Sequence, residues 1–488
     1  MFSRRSAAGR HKSLAQVEIF ASLLIFLALI IAPAASQQPK PQARFLTYEE
    51  ARPLLQSFDE VLPAELKGKS AEDQAAVWPA WVKAQDAAVR ERLQRGDEDT
   101  LVNFLLFGVS FTKQPRVTAQ EISAQQGAQT QEAFDKMINA RIDDLIRGLA
   151  SPGANERLLF LRKLVTEQGH RLGDPAGRTK LREYILANML RALREKESYA
   201  RTLAAARLQG NPGEEFIERS KLYRERGLSL DTTLAPNFAI EESLKAMKAR
   251  GLWQKWVEAG GLRKVAVVGP GLDFTDKAAG YDFYPEQTIQ PFALIDSLLR
   301  LGLAKANELQ VTAFDLSPRS LDHLARARRR ALGGLPYVVQ LPHDQQAKWK
   351  PELVKYWEAF GDQIGKPVAP RPVPAGLSDL KLRAVNIAPA FVGRVTPVDL
   401  NIVHQRMATP QDFDLIIATN ILVYYDVFEQ SLALANIESM LRDGGFLLSN
   451  NALLEVPVIK MKSVDYLTVV YSDRPDDGDH IVWYQRSR

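Results

Sequence analysis

Apolar residues recur every three or four positions through most of the first half of the chain. Between Asp135 and Ala150 they occupy positions 137, 138, 142, 145, 146 and 149. This spacing places them along one face of a helix, and stretches rich in Gly and Pro at 151–154, 173–177 and 210–214 separate such helices. The pattern predicts an all-α helical domain of unknown role over residues 45–238, in which no residues suggest a catalytic group.

The pattern changes at about residue 262, where continuous apolar runs begin to alternate with helical stretches. The runs lie at 264–269, 309–317, 413–425 and 444–451, and the helices at 290–303, 318–332 and 429–441. Such alternation is typical of a parallel sheet covered on both faces. Two strand-like runs around Asp476–Asp479 predict an antiparallel hairpin. The predicted fold class is α/β, a Rossmann-like sheet with a terminal antiparallel hairpin, preceded by the all-α domain.

An insertion at about 340–394 interrupts this predicted α/β domain, which covers residues 239–488. Residues 350–364 have a helical pattern, and residues 366–376 contain four prolines and are expected to be extended. We interpret the insertion as a surface excursion, with a lid or a partner-binding arm as alternatives.

The first 36 residues have the pattern of a secretory signal. Arg4, Arg5, Arg10 and Lys12 precede an apolar run at 20–31, and small residues follow it at 32–36. The apolar run is short for a membrane span, so a cleaved signal peptide is favoured over an uncleaved anchor. Both interpretations predict an exported protein or one anchored to the inner membrane by this segment. Residues 37–44 are predicted to be a polar linker.

Charge and composition exclude several functions. The formal net charge is +5 for the whole chain, but without residues 1–36 it is +2, from 59 Lys and Arg against 57 Asp and Glu. This balance gives no reason to expect nucleic-acid binding. The absence of cysteine excludes disulfides and thiolate chemistry. The six His residues form no HExxH or HxH pattern, so no metal site is predicted.

Two features resemble a nucleotide-binding turn. Gly269 and Gly271 follow the first apolar strand, where glycine permits a positive φ and close approach of a ligand. Asp315 ends the next strand, where a carboxylate can accept hydrogen bonds from ribose hydroxyls. A plain tight turn is the alternative for the glycines, and a cap on the helix that begins at Ser317-Pro318 is the alternative for Asp315.

Further polar residues follow two later strands. Asp399 or Asn401 is a candidate for an adenine amino group, and Asn420, Tyr424 and Tyr425 follow the fourth parallel strand. Open α/β sheets bind ligands at the carboxyl ends of their strands, so these residues are expected at one edge. For the two tyrosines, packing against the core is the alternative.

The segments "FDLSPRSLDHLARARR" and "FDLIIATNILVYYD", with "MLRDGGFLL" after them, resemble class I S-adenosylmethionine-dependent methyltransferases. Within that superfamily they are most similar to the chemotaxis-receptor (CheR-type) methyltransferases. The matching positions are Asn420, Tyr424, Tyr425, Asp426 and the pair Gly444-Gly445, and the resemblance covers about residues 240–488. It implies a methyltransferase sheet and S-adenosylmethionine as the cofactor.

The resemblance also assigns roles to individual residues. It implies cofactor contacts for Gly269, Gly271, Asp315, Leu316, Asp399, Asn401 and Asn420. Tyr424 and Asn420 would act beside the reacting methyl group. The sequence departs from the family pattern at Thr419, where an Arg is usual, in the short glycine turn followed by Asp273, and throughout residues 45–260.

The sequence thus predicts a methyltransferase whose acceptor is unknown, with a protein carboxylate among the candidates. The alternative is an exported or anchored binding protein on a catalytically decayed methyltransferase fold, since the leader would remove the chain from cytoplasmic S-adenosylmethionine. A nicotinamide-dependent oxidoreductase is less consistent with the incomplete glycine pattern.

Overall fold

The structure is a computed structural model that describes residues 43–58, 61–117, 128–208, 227–272, 281–450, 452–474 and 477–487. The predicted leader, most of the predicted linker, the stretch 210–214, Asp273 and Asp476 lie outside these ranges. No helix within them has both the length and the hydropathy to cross a membrane. Residues Ala43–Arg488 form one compact unit.

Helices dominate the first half of the described chain. The elements up to residue 258 are β1 (Ala43–Phe45), α1 (Tyr48–Ser57), α2 (Ala71–Phe107), α3 (Ala128–Ala150), α4 (Glu156–Glu167), α5 (Pro175–Leu208), α6 (Ala235–Ala249) and α7 (Gln254–Glu258).

Strands and helices alternate in the second half. The elements are β2 (Lys264–Val268), α8 (Gln290–Arg300), β3 (Gln310–Asp315), α9 (Pro318–Leu332), β4 (Tyr337–Asp344), α10 (Pro351–Ala359), β5 (Gly365–Val368), β6 (Leu380–Ile387), α11 (Pro389–Val392), β7 (Val395–Asp399), β8 (Gln405–Met407), β9 (Phe413–Ala418), α12 (Val427–Met440), β10 (Leu441–Ser449), β11 (Met461–Val470) and β12 (Gly478–Arg486). Short 3₁₀ turns lie at Gln345–Ala347 and Leu422–Tyr424.

The main sheet has seven strands in the order β11-β12-β10-β9-β2-β3-β7. The pairs from β10 to β7 are parallel, with Val268 opposite Phe314 and Asp315 opposite Asp399. β12 runs antiparallel to both β10 and β11. The strand order reverses between β2 and β9, which creates a crevice at their carboxyl ends. The predicted Rossmann-like sheet with a terminal antiparallel hairpin is confirmed.

Alternate residues of β2 enter different hydrophobic cores. Val265 and Val267 pack with residues of α6, α8 and α9, whereas Ala266 and Val268 pack with residues of α1, α2 and α12. Successive side chains of a strand point to opposite faces, so the fully apolar run requires both faces to be covered.

Helix α2 joins two cores. Its Trp78 and Trp81 pack in the core of the sheet, and the Trp78 indole donates a hydrogen bond to the Leu46 carbonyl at 2.8 Å. Its last turns, Leu101–Phe107, pack instead with α3, α4 and α5 in a third core. The apolar face predicted for 135–150 is buried in that third core, with Ile142, Leu145 and Leu149 fully enclosed.

The predicted insertion contains a second sheet of three antiparallel strands in the order β4-β6-β5. α10 covers it, and the Trp357 indole donates to the Leu341 carbonyl at 2.9 Å. The proline-rich stretch starts as edge strand β5, where Pro367 needs no ladder donor of its own.

Helix α12 begins at a capping box, directly after the segment that contains Asn420, Tyr424 and Tyr425. The Asp426 carboxylate accepts from the Glu429 backbone N–H, and the Glu429 carboxylate accepts from the Asp426 N–H, both at 2.9 Å. We expect Asp426→Ala to lower the free energy of unfolding by about 1 kcal/mol, because the Glu429 N–H at the helix end loses its partner. Urea denaturation measures this loss, and Asp426→Asn, which keeps an acceptor, should lose less than Asp426→Ala. Equal losses would contradict the capping role.

Candidate functional site

A cavity of about 270 Å³ lies at the carboxyl ends of β2, β3 and β9, at the reversal of strand order. The sheet side is formed by the glycine turn, the ends of the strands and the segment after β9. The lining is completed by Leu93 of α2 and by the segment before and at the start of α6, which lies directly against the glycine turn. Its lining comprises Leu93, Leu228, Ser229, Leu230, Asp231, Thr232, Thr233, Pro236, Asn237, Val268, Gly269, Gly271, Gln290, Phe314, Asp315, Leu316, Leu400, Ile402, Thr419, Asn420, Ile421, Tyr424 and Tyr425.

The two predicted glycines adopt a conformation that other residues avoid. Gly269 has φ +65° and Gly271 has φ +66°. A Cβ on Gly269 would lie 2.2 Å from the Ile421 Cδ1 atom, and one on Gly271 would lie 2.5 Å from the Leu230 carbonyl oxygen. The backbone conformation therefore favours glycine at both positions. At Gly271 the space requires it as well, because the atom that a Cβ would meet is backbone, whereas Ile421 Cδ1 is the end of a flexible side chain.

Asp315 is the predicted acid among the residues that line the cavity. The residue is 6% exposed, and burial raises the pKa of its carboxyl group. Its Oδ1 accepts from the Ser317 N–H at 2.8 Å. Its buried Oδ2 has no hydrogen-bond partner of ordinary geometry among the described residues, although the Ser320 hydroxyl and the Leu316 and Gly271 N–H groups act against the larger effect of burial and lower the pKa. Ser317 precedes α9 but makes no side-chain cap bond. One oxygen of Asp315 thus serves the local turn, and the other remains available for a ligand.

Asn420 follows β9 with φ +59°, an uncommon conformation for a residue other than glycine. Its N–H donates to the Asn450 Oδ1 at 2.8 Å, and the Asn450 amide donates in turn to the Asn420 Oδ1. Beside it, the Gln290 Nε2 donates to the Thr419 hydroxyl at 3.1 Å. These bonds hold Asn420 at the cavity wall through a residue at the end of the neighbouring strand.

The two tyrosines line the same wall but differ in burial. Tyr425 is buried, and burial raises the pKa of its phenol, whereas Tyr424 is partly exposed. Arg92 of α2 donates to the Tyr424 carbonyl at 3.0 Å, and its guanidinium carbon lies 5.9 Å from the centre of the Tyr425 ring. The turn that contains the two tyrosines is therefore held in place by Arg92, a residue of the helical half of the chain.

Two predicted residues do not line the cavity. The Asp399 carboxylate accepts from Arg90 at 2.8 Å. Asn401 is fully buried; its Nδ2 donates to Asp86 at 2.8 Å and its Oδ1 accepts from the Val403 N–H at 3.1 Å. Leu400 and Ile402, the neighbours at alternate positions, line the cavity instead. The structure thus brings together Gly269, Gly271, Asp315, Leu316, Asn420 and Tyr424, but not Asp399 and Asn401.

The segment before α6 contributes an acid that the sequence did not single out. Asp231 lines the cavity, forms a parallel bridge with Leu272, and its Oδ2 accepts from the Ser229 hydroxyl at 3.2 Å. The Leu272 N–H donates to the Leu230 carbonyl at 2.6 Å. The only sequence signal is the polar run Ser229–Thr233 next to Pro236, which is typical of a loop and not of a site.

Within the described ranges, no arrangement of side chains suggests a metal-binding site. No group of three or more His, Asp and Glu side chains there is arranged to hold a metal ion. His404 is buried and His323 is partly buried, and desolvation lowers the pKa of each to about 4, so both are neutral at pH 7.

No family model and no curated protein matches the chain. Solved structures similar to it include S-adenosylmethionine-dependent methyltransferases. A TehB-like enzyme from Corynebacterium glutamicum is 10% identical over 51% of this chain and 95% of its own, with a TM-score of 0.19. The magnesium protoporphyrin IX methyltransferase of Synechocystis, solved with bound S-adenosylmethionine, is 10% identical over 51% and 80%, with a TM-score of 0.24.

A third match is the mitomycin 7-O-methyltransferase, 12% identical over 86% of this chain and all of its own, with a TM-score of 0.24. At these identities and TM-scores the likenesses add nothing about activity or substrate.

Proposed function

We propose that the chain is an S-adenosylmethionine-dependent methyltransferase of class I. The observation that carries the proposal is the buried Asp315 Oδ2, which has no hydrogen-bond partner of ordinary geometry among the described residues and lies in the cavity beside two glycines of positive φ. A ribose diol offers the donor that such a carboxylate oxygen requires, and the reversal of strand order is where α/β sheets place it.

The residues of the cavity suit each part of this cofactor. Gly269 and Gly271 admit the methionine end close to the backbone. Leu316, Leu400 and Ile402 provide apolar contacts for the adenine, in place of the hydrogen bond expected from Asp399 or Asn401. Asp231, next to the glycine turn, supplies a carboxylate that can pair with the α-ammonium group.

When bound, this cofactor supplies a methyl group that its sulfonium already activates. The protein then has to align the nucleophile with the methyl carbon and exclude water, and alignment can contribute about 7–11 kcal/mol in favourable cases. We propose that Tyr424 and Asn420, which share the wall beside Thr419, orient the acceptor or shield the sulfonium. An aromatic face next to a cation is favourable by about 0.5–2 kcal/mol.

The similarity to CheR-type enzymes supports a carboxylate acceptor less strongly than it supports the cofactor. Asn420, Tyr424 and Tyr425 lie together at the cavity. However, Thr419 replaces the usual Arg, and the Thr419 hydroxyl accepts from Gln290. We therefore keep a protein carboxylate as one candidate acceptor and do not favour it over others.

Calorimetric titration of the protein with S-adenosylmethionine and with S-adenosylhomocysteine tests the proposal. We expect micromolar affinity and a rise in melting temperature, since a ligand that binds only the folded state stabilises it. No heat and no thermal shift with either compound would favour the alternative, a binding protein on a decayed methyltransferase fold.

We also propose that the first 36 residues export the chain or anchor it to the inner membrane; export away from cytoplasmic S-adenosylmethionine would favour the alternative of a binding protein on a decayed methyltransferase fold. This proposal rests on the basic, apolar and small-residue pattern of the leader. Fractionation of tagged protein tests it, and recovery of the full-length chain from the soluble cytoplasmic fraction would contradict it.

A further inference from the structure

A second cavity, of about 760 Å³, adjoins the first. It lies between the start of α6, the turn that follows β4, and residues 471–474 and 477, which follow β11. Thr232, Thr233 and Pro236 line both cavities. The two cavities therefore lie on either side of one short segment, Thr232–Pro236.

The floor of the second cavity is apolar and aromatic. Leu234, Ile289 and Leu341 are at most 5% exposed. Trp349 stacks on His343, with the ring centres 4.2 Å apart and the planes tilted by 10°. Such a floor suits a ligand with a flat apolar body.

Most charges at the rim of the second cavity are already engaged. Asp473 pairs with Lys350 at 3.0 Å, and Asp477 pairs with Arg474 at 3.5 Å. The Asp344 Oδ1 accepts from the Gln346 N–H at 2.9 Å and caps its 3₁₀ turn. Lys348 is the one lining cation with no ion pair among the described residues.

The backbone at Lys348 is also unusual. The residue ends the 3₁₀ turn in the left-handed conformation, with φ 49° and ψ 47°, and its side chain is exposed at the rim. Residues with side chains rarely adopt this conformation, and where they do they cluster at ligand sites. A glycine in place of Lys348 would remove this backbone strain, but it would not provide a positive charge for a ligand.

We propose that this second cavity is the acceptor site and that it takes a small molecule with a flat apolar body and an anionic substituent, which pairs with Lys348. The proposal rests on the proposed methyltransferase function. A hydroxyl or amine of the acceptor would attack at the Thr232–Pro236 boundary. Its lone pair forms the bond to the methyl carbon while the carbon–sulfur bond breaks with its electrons on sulfur, and the acceptor's proton passes to solvent.

Binding of paired aromatic probes tests the charge preference. We expect the full chain to bind 2-naphthoate about tenfold more tightly than neutral 2-naphthol, because charge-assisted hydrogen bonds are the stronger ones. Lys348→Met should abolish that preference, and Lys348→Arg should keep it. Lys366→Met is the matched control: it removes one exposed charge from β5, outside the cavity, and should change nothing. No preference, or one that survives Lys348→Met, would overturn the proposal.

A second titration separates this proposal from the proposed function. With S-adenosylhomocysteine present at saturation, 2-naphthoate should still bind, because the two ligands occupy adjoining cavities. Mutual exclusion would place both ligands in one cavity and overturn the acceptor site. If S-adenosylhomocysteine binds and naphthoate shows no charge preference, only the acceptor site fails. If S-adenosylhomocysteine does not bind, the proposed function fails, and the acceptor role fails with it.

Discussion

Asp315→Asn is expected to weaken S-adenosylmethionine binding by about tenfold to a hundredfold, since a hydrogen bond to a charged group contributes about 1.5–3 kcal/mol. The variant keeps an acceptor for the Ser317 N–H, so the turn before α9 should survive. The lost interaction is the one between Oδ2 and a ribose hydroxyl. Calorimetry on both proteins measures the difference, and Asp322→Asn on the exposed side of α9 is the matched control.

The same substitution should leave the unliganded protein as stable as before, or more stable by about 1 kcal/mol, because it removes a buried charge with an unsatisfied oxygen. Burial raises the pKa of Asp315 in the folded state, so the folded state binds a proton more readily than the unfolded state. As the pH falls through that raised pKa, the folded wild type takes up a proton and this group's contribution to the free energy of unfolding rises. The difference in free energy of unfolding between the wild type and Asp315→Asn therefore becomes smaller. A variant that loses both stability and affinity would indicate a structural role instead.

Gly271→Ala is expected to cost about 3 kcal/mol or more of stability and to abolish cofactor binding. A left-handed alanine costs about 1–2 kcal/mol, and overpacking adds about 1–3 kcal/mol. Its Cβ would meet the Leu230 carbonyl, which is backbone and is held by the Leu272 N–H. The segment bearing Asp231 would have to move away from the glycine turn.

Two other glycines provide graded controls for this prediction. Gly334 has φ +78° and nothing within 4 Å of an added Cβ, so Gly334→Ala measures the conformational cost alone. Gly269→Ala adds a clash with the flexible end of Ile421, which Ile421→Ala should relieve. We expect urea denaturation to show the smallest loss of unfolding free energy for Gly334→Ala, a larger loss for Gly269→Ala and the largest loss for Gly271→Ala. Equal losses at the three positions would show that the space around the turn is unimportant.

Local sequence signals were sufficient for the main sheet and for part of the site. Helix α9 spans the predicted 318–332, because the Ser-Pro start and the following Gly mark both ends. The glycine turn and Asp315 could be placed because a strand end is visible in the sequence. Their convergence follows from the rule that parallel strands end at one edge.

The remaining parts of the site depend on contacts between distant residues. Arg90 and Asp399 are 309 positions apart, and Asn401 meets Asp86 across 315 positions. The periodic pattern of apolar residues does not show which side of a strand end will be covered by an insertion or by an earlier helix. The three-stranded sheet within the insertion was not predicted either, because Pro367 in β5 disguises an edge strand.

The path of α2 has a consequence for the modularity of the chain. Because this helix contributes Trp78 and Trp81 to the core of the sheet and Leu93 to the cavity, while its last turns belong to a separate core, the two halves cannot be exchanged as independent parts. Any relative that acquired a different helical half would have to rebuild one face of the sheet and one wall of the site together. With the second cavity as the proposed acceptor site, a change of acceptor would be easier to obtain at the insertion and the terminal hairpin, which line only that cavity.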